Sequence, residues 1–226
     1  MAKNIEAQFE FGKFYHVFNR TNNSEILFRE EMNRYYFIKL CKEKLKGIID
    51  VYAIALLRNH FHFAIKIRSE EGIVNYLNSI DIKKLTTTQH QFLEKLGEDG
   101  IVHRLISGQF SKVFNSYSQA FNKKYKREGH LFHAPYKRSM IYSDNHLSQL
   151  ICYIHFNSVN HGVVKNLTED RWSTYPYLLK DRGAKHIFRG FVNADAVLDH
   201  FVSKRGLVDF YLKYKNEIID YKEAVF

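Results

Sequence analysis

The sequence is poor in the residues that punctuate and cross-link a chain. Two prolines and eleven glycines in 226 residues leave little room for low-complexity linkers. Two cysteines, Cys41 and Cys152, form no Cys-x-x-Cys pair and no disulfide framework. They read as buried apolar thiols of a reduced, cytoplasmic protein. No uncharged apolar run approaches the roughly 20 residues that a membrane helix needs, and Met1 to Gln8 carry no apolar signal core. Phosphate-binding and dinucleotide-binding glycine loops are missing, as are the zincin His-Glu-x-x-His and the serine-hydrolase Gly-x-Ser-x-Gly. The acidic residues do not cluster near histidines, which argues against a nuclease whose two metals are held by several carboxylates.

What is present describes a basic globular protein. Hydrophobic residues make up 45% and aromatics 15%, enough for one substantial core or a core with an appendage. The net charge is +10 and the pI about 9.4, so a polyanion is the first partner to consider.

Periodicity gives a coarse order of elements. A strand is expected over 13–20, a helix over 30–46 stopped by Gly47, a strand over 49–57 and a second strand over 58–67, the last two as a hairpin. A helix starts near Glu70. Residues 81–106 carry a weak pattern with a loop at Gly97–Gly100. Phe110, Val113, Phe114, Tyr117 and Phe121 then mark a long helix over 107–126. A strand follows over 130–142, broken or at an edge because of Pro135. A helix over 145–158 is capped by Ser143 or Asp144, and two short helices lie near 194–203 and 206–219. The order predicts an α+β fold: a ferredoxin-like antiparallel sheet with helices packed on one face, plus a C-terminal helical appendage. The domain expected over 1–175 leaves 176–226 as that extension.

Three stretches carry chemistry. In the strand over 58–67 Phe61, Phe63, Ile65 and Ile67 share an apolar face, and His60, His62, Ala64 and Lys66 the other. Two neighbouring imidazoles can hold a metal or a phosphate, or can simply be hydrogen-bonded surface histidines. In the helix over 145–158 Gln149, Tyr153 and Asn157 fall on one line beside an apolar stripe. Tyr153 is a nucleophile candidate or an ordinary packed tyrosine, whereas Tyr117 sits within an apolar stripe and reads as core. Between positions 123 and 138 six cations, Lys123, Lys124, Lys126, Arg127, Lys137 and Arg138, face one acid, Glu128. Tyr125, Phe132 and Tyr136 are interleaved, the composition of a surface that grips unpaired nucleic acid; a solvated helix end is the plainer reading.

Together these segments resemble the single-tyrosine HUH transposases, both the small insertion-sequence type and the REP-associated tyrosine transposases. The likeness rests on Tyr15-His-Val-Phe-Asn-Arg20, on Asn59-His-Phe-His62, on Asn122 to Phe132 continuing to Tyr136-Lys-Arg138, and on Tyr153-Ile-His-Phe-Asn157-Ser-Val159 followed by Trp172-Ser173. Ser158 and Arg58 stand where proline is usual, and neither change removes a functional group. The resemblance implies a divalent metal, Mg2+ or Mn2+, on His60, His62 and Asn157, with Tyr153 as the nucleophile. It implies cleavage and rejoining of single-stranded DNA near hairpins through a 5′-phosphotyrosine, without ATP. His146 and His155 are candidates for a base, and Arg20 joins the six cations as a DNA contact. A monomer and a homodimer both fit the resemblance. A domesticated hairpin-binding protein that does not cut is the alternative; a metal hydrolase of small phosphoesters would leave the basic segment unexplained.

Overall fold

The computed structural model describes residues 6–180 and 186–215. In chain order the elements are β1 (Phe14–Arg20), α1 (Glu31–Leu45), β2 (Ile49–Leu56), β3 (His60–Ile67), α2 (Glu70–Asn78), α3 (Thr87–Glu94) and α4 (Ile101–Tyr125). There follow β4 (Lys137–Ile141), α5 (Asp144–Asn160), α6 (Thr174–Leu179), α7 (Ala194–His200) and α8 (Lys204–Tyr214). The four strands form one antiparallel sheet in the order β2-β3-β1-β4. That is the ferredoxin-like order, with the histidine strand β3 in the interior and β4 at an edge.

The two faces of β3 are packed by different helices. Phe61 meets Phe37 of α1 at 5.0 Å between ring centroids and Phe114 of α4 at 5.6 Å. Phe61, Phe63, Ile65 and Ile67 are all essentially inaccessible, and burying each such side chain stabilises the fold by about 1.5–3 kcal/mol. The other face is not open to solvent. Helix α5 crosses it, and His62 and Ala64 are as buried as the phenylalanines. The alternation along β3 stands as expected, but the sheet carries helices on both faces, α1 and α4 on one and α5 on the other, not on one face alone. This is also why α5 is buried nearly all round from Leu147 to Ser158: the sheet covers one side and Tyr211 of α8 packs against the other.

Several element boundaries differ from the periodicity reading. Helix α4 starts at Ile101, six residues early, directly after Gly100 with φ +68°. Thr86 and Gln89 form a capping box that starts α3 inside the weakly patterned stretch. Only Lys137–Ile141 of the strand expected over 130–142 is paired as a strand. Residues 130–136 form a loop tied to the end of β1 by Asn22, whose side chain donates to the His130 and Phe132 carbonyls. The last expected helix ends at Tyr214, and its continuation to 219 lies outside the described residues. Cys41 and Cys152 are buried and form no disulfide. Among the described residues no helix is long and apolar enough to cross a membrane.

The stop at Gly47 has a steric cause. Its φ is +81°, and an added Cβ would lie 2.1 Å from Cγ of Tyr76. Gly47→Ala is expected to lower the unfolding free energy by about 2–4 kcal/mol, combining backbone strain with overpacking. Urea denaturation measures it, and an unchanged midpoint would contradict the account.

Candidate active site at the histidine strand

His60 and His62 stand two apart on β3, their rings 5.2 Å apart and nearly perpendicular. The Nδ1 of His60 lies 2.8 Å from the Asn59 carboxamide oxygen. That oxygen can only accept, so Nδ1 carries the proton and Nε2 keeps its lone pair. The Nδ1 of His62 lies 2.9 Å from Nε2 of His16, which reaches it from β1. Both imidazoles are driven toward the neutral form. Burial, reinforced by His161, lowers the pKa of His60 to about 4. Burial first, then the crowding of His16, His60 and His161, holds His62 well below its ordinary value. Neutral imidazole is the form that ligates a metal.

Helix α5 brings the rest. Tyr153 sits edge-on to His62 at 5.6 Å and to His16 at 6.1 Å between ring centroids. It is wholly buried, and burial pushes its phenol up to about 12, with a partial offset from the Asn157 amide. Asn157 lies one turn further along, also fully buried, and its amide acts on His60 as well. The fold therefore assembles His60, His62, Tyr153 and Asn157 within one chain, from segments about ninety residues apart. No hydrogen bond of normal geometry satisfies Nε2 of His60 or Oδ1 of Asn157. Two buried acceptor atoms in that position fit a cation better than they fit a closed protein core. Among the described residues no group of three or more His, Cys, Asp or Glu side chains could hold a metal ion. A metal at this place depends on the two imidazoles and the Asn157 amide oxygen.

In front of the histidines opens a cleft of about 470 Å3, and its lining includes Asn59, His60, His62, His133 and His161. Arg20 and Lys137 stand on its walls and no carboxylate among the described residues lines it, so the local potential favours an anion. Tyr153 and Asn157 lie behind the histidines rather than on the cleft wall.

The other expected DNA contacts are dispersed. Arg127 is engaged by Glu25 at 2.6 Å, by Asn122, and by the Gly129 and His130 carbonyls. Arg138 bonds the Ala7 and Glu6 carbonyls and lies over the Phe9 and Tyr136 rings. Both shape loops. Lys124 pairs with Glu30 at 2.7 Å in an exposed contact, while Lys123 and Lys126 are exposed at the end of α4. The interleaved aromatics are not stacking platforms: Phe132 and Tyr136 are buried against Phe114, and Tyr125 packs on Phe121. His155 is not near Tyr153's phenol, since it points to the far side of α5 and bonds Tyr211 and Thr174. Tyr117 donates to the Leu27 carbonyl on the opposite face of the sheet, as a core tyrosine.

Four further residues belong to this site: His16, Asn59, His133 and His161. The signal for His161 was available, because it continues the Tyr153–Asn157 line by one more turn and its ring lies 5.1 Å from that of His60. His16 and Asn59 lie within segments that carry the resemblance, but the contact of His16 with His62 follows only from the β1–β3 pairing.

The arrangement defines a class: a mixed α/β protein on a four-stranded antiparallel sheet, with two histidines facing a tyrosine helix. Among solved structures the same fold occurs in a REP-associated tyrosine transposase bound to a REP hairpin, with a TM-score of 0.52, 14% identity, and coverage of 86% of this chain and 90% of that chain. No family model and no curated protein matches the chain.

Proposed function

We infer that this protein cleaves and rejoins single-stranded DNA beside a hairpin, with Tyr153 as the nucleophile and a divalent ion held by His60, His62 and Asn157. The observation that carries this reading is the edge-on placement of Tyr153 against His62, with Asn157 one turn on, behind a cleft whose charges are positive. The hairpin partner is suggested by the solved neighbour, which holds one.

A Mg2+ or Mn2+ ion would act there as a Lewis acid on the scissile phosphate. Arg20 and Lys137 bind and orient the backbone in the cleft, and His133 and His161 offer N–H donors to phosphate oxygens. The Tyr153 oxygen forms a bond to phosphorus as the bond to the 3′ oxygen breaks, leaving a 5′-phosphotyrosine and a 3′-hydroxyl. The phenolic proton leaves Tyr153, and the 3′ oxygen takes one up. Because the phosphodiester energy is retained in the adduct, attack by another 3′-hydroxyl reverses the step without ATP.

The complete burial of Tyr153 favours a second reading, a hairpin-binding protein that does not cut. One assay separates the two. Labelled hairpin DNA with a single-stranded arm is incubated with the protein and Mg2+ or Mn2+, and the mixture is denatured. A denaturation-resistant adduct supports cleavage; binding without adduct supports the alternative. His60→Ala with His62→Ala is expected to abolish both the adduct and calorimetric Mn2+ binding. Unchanged Mn2+ affinity would remove the metal site.

A further inference from the structure

A second groove, of about 410 Å3, lies along α4 and opens into the cleft at the end of β1, where Asn19 and His133 line both. Its helical wall is Ser111, Asn115, Ser118, Gln119 and Asn122. These positions recur at i, i+4, i+7, i+8 and i+11, which draws one stripe along about 16 Å of helix. The opposite wall is the loop over 129–136, held in place by Asn122 and Arg127. Among the described residues no Lys, Arg, Asp or Glu side chain lines the groove, although charged residues are 26% of the chain. Lys123 and Lys126 follow directly beyond Asn122, exposed and outside any ion pair among the described residues.

An uncharged row of amides and hydroxyls is a poor track for phosphates. It is suited to base edges, since each carboxamide presents a donor beside an acceptor and can pair with a nucleobase in two places. The Asn115 and Gln119 side chains are exposed and make no hydrogen bond among the described residues, whereas Asn122 is committed to Gly129 and Arg127. We propose that the α4 groove reads the bases of the unpaired DNA segment that leads into the cleft, through Asn115 and Gln119, with Lys123 and Lys126 taking phosphates at its far end. This rests on the DNA reading above and adds where sequence preference resides. The segment would bend around the β4 edge of the sheet at Asn19 and His133, from the α4 face to the histidine face.

The test uses the full-length chain and DNA with one fixed hairpin and a randomised single-stranded arm, bound without divalent metal and sequenced after selection. Wild type is expected to enrich particular bases in the arm. Asn115→Ala with Gln119→Ala is expected to lower enrichment at one or two positions by about tenfold, with the salt dependence of binding unchanged. Lys123→Ala with Lys126→Ala is expected to do the reverse, flattening the log-log salt slope by about one unit for each lysine and leaving the enriched bases as they were. Gln119→Glu keeps the size and removes the donor, and is expected to alter the preferred base. The proposal is overturned if the double amide variant selects the same bases as wild type, if it loses affinity uniformly across sequences, or if wild type shows no base preference. Adduct formation is scored separately on the same proteins. An adduct with unaltered base choice sinks the groove alone, and altered base choice without an adduct sinks the chemistry alone.

Discussion

Tyr153→Phe is expected to abolish the covalent protein–DNA adduct, a loss on the order of 10^3-fold or more in cleavage rate, while binding to hairpin DNA stays close to wild type. The substitution removes one oxygen and leaves the ring that packs on His62 and His16. Tyr153 does not line the cleft, so the Arg20 and Lys137 side chains proposed to hold the phosphates are untouched. The control is Tyr117→Phe, the same chemical change on the opposite face of the sheet. There the lost group is a hydroxyl that donates to the Leu27 carbonyl. That variant is expected to cost about 1–2 kcal/mol of stability and to keep the adduct. An adduct that survives Tyr153→Phe and disappears with Tyr117→Phe would reassign the nucleophile. The pH profile supplies a second check. Burial pushes the phenol up to about 12, and a divalent cation at the histidines would pull it down from there. Adduct formation should therefore rise with pH across the neutral range.

The parts of this fold that were legible in the sequence are those with a strong local period. The β3 alternation from Phe61 to Ile67, the α1 helix with its stop at Gly47, and the Tyr153–Asn157 spacing on α5 all stand where the pattern put them. What local pattern could not give is what each face meets. Helices were expected on one face of the sheet only, because α5, which covers the polar side of β3, is about eighty residues away in the chain. Phe132 and Tyr136 looked like exposed stacking residues because they lie among lysines, yet the loop over 130–136 folds them onto α4. Composition also does not reveal the carbonyls that Arg127 and Arg138 bond within the fold. His16 lay in a segment of the resemblance without a role, because its contact with His62 exists only once β1 lies beside β3.

The C-terminal helices are joined to the tyrosine helix through His155, and this makes stability depend on pH. His155 is wholly buried, with one ring nitrogen on the Tyr211 hydroxyl and the other on Thr174, whose oxygen also takes the Ile54 amide proton at 3.0 Å. None of these partners is an anion, and burial lowers the His155 pKa to about 3. The unfolded chain binds a proton near the ordinary histidine value of about 6.5. Between those values the unfolded state holds more protons, so stability rises with pH. The contribution is complete above about 6.5, declines as pH falls, and is gone once pH passes below about 3. Its size is on the order of a few kcal/mol. His60 and His62, also depressed by burial, act in the same direction, whereas Asp170, raised by burial, acts the other way. Urea unfolding at pH 7, 6 and 5 should show stability falling by roughly 1 kcal/mol per unit for His155 alone below its unfolded pKa. His155→Gln, which can still donate and accept, is expected to lose about 1–3 kcal/mol at pH 7 and to flatten the slope. Equal slopes in the two proteins would show that His155 is not the titrating group. Because Tyr211 also packs on Phe156 of α5, loosening this contact should free α5 on the side opposite the histidines. Adduct formation by His155→Gln should then fall even at neutral pH, while the affinity of the cleft for DNA remains.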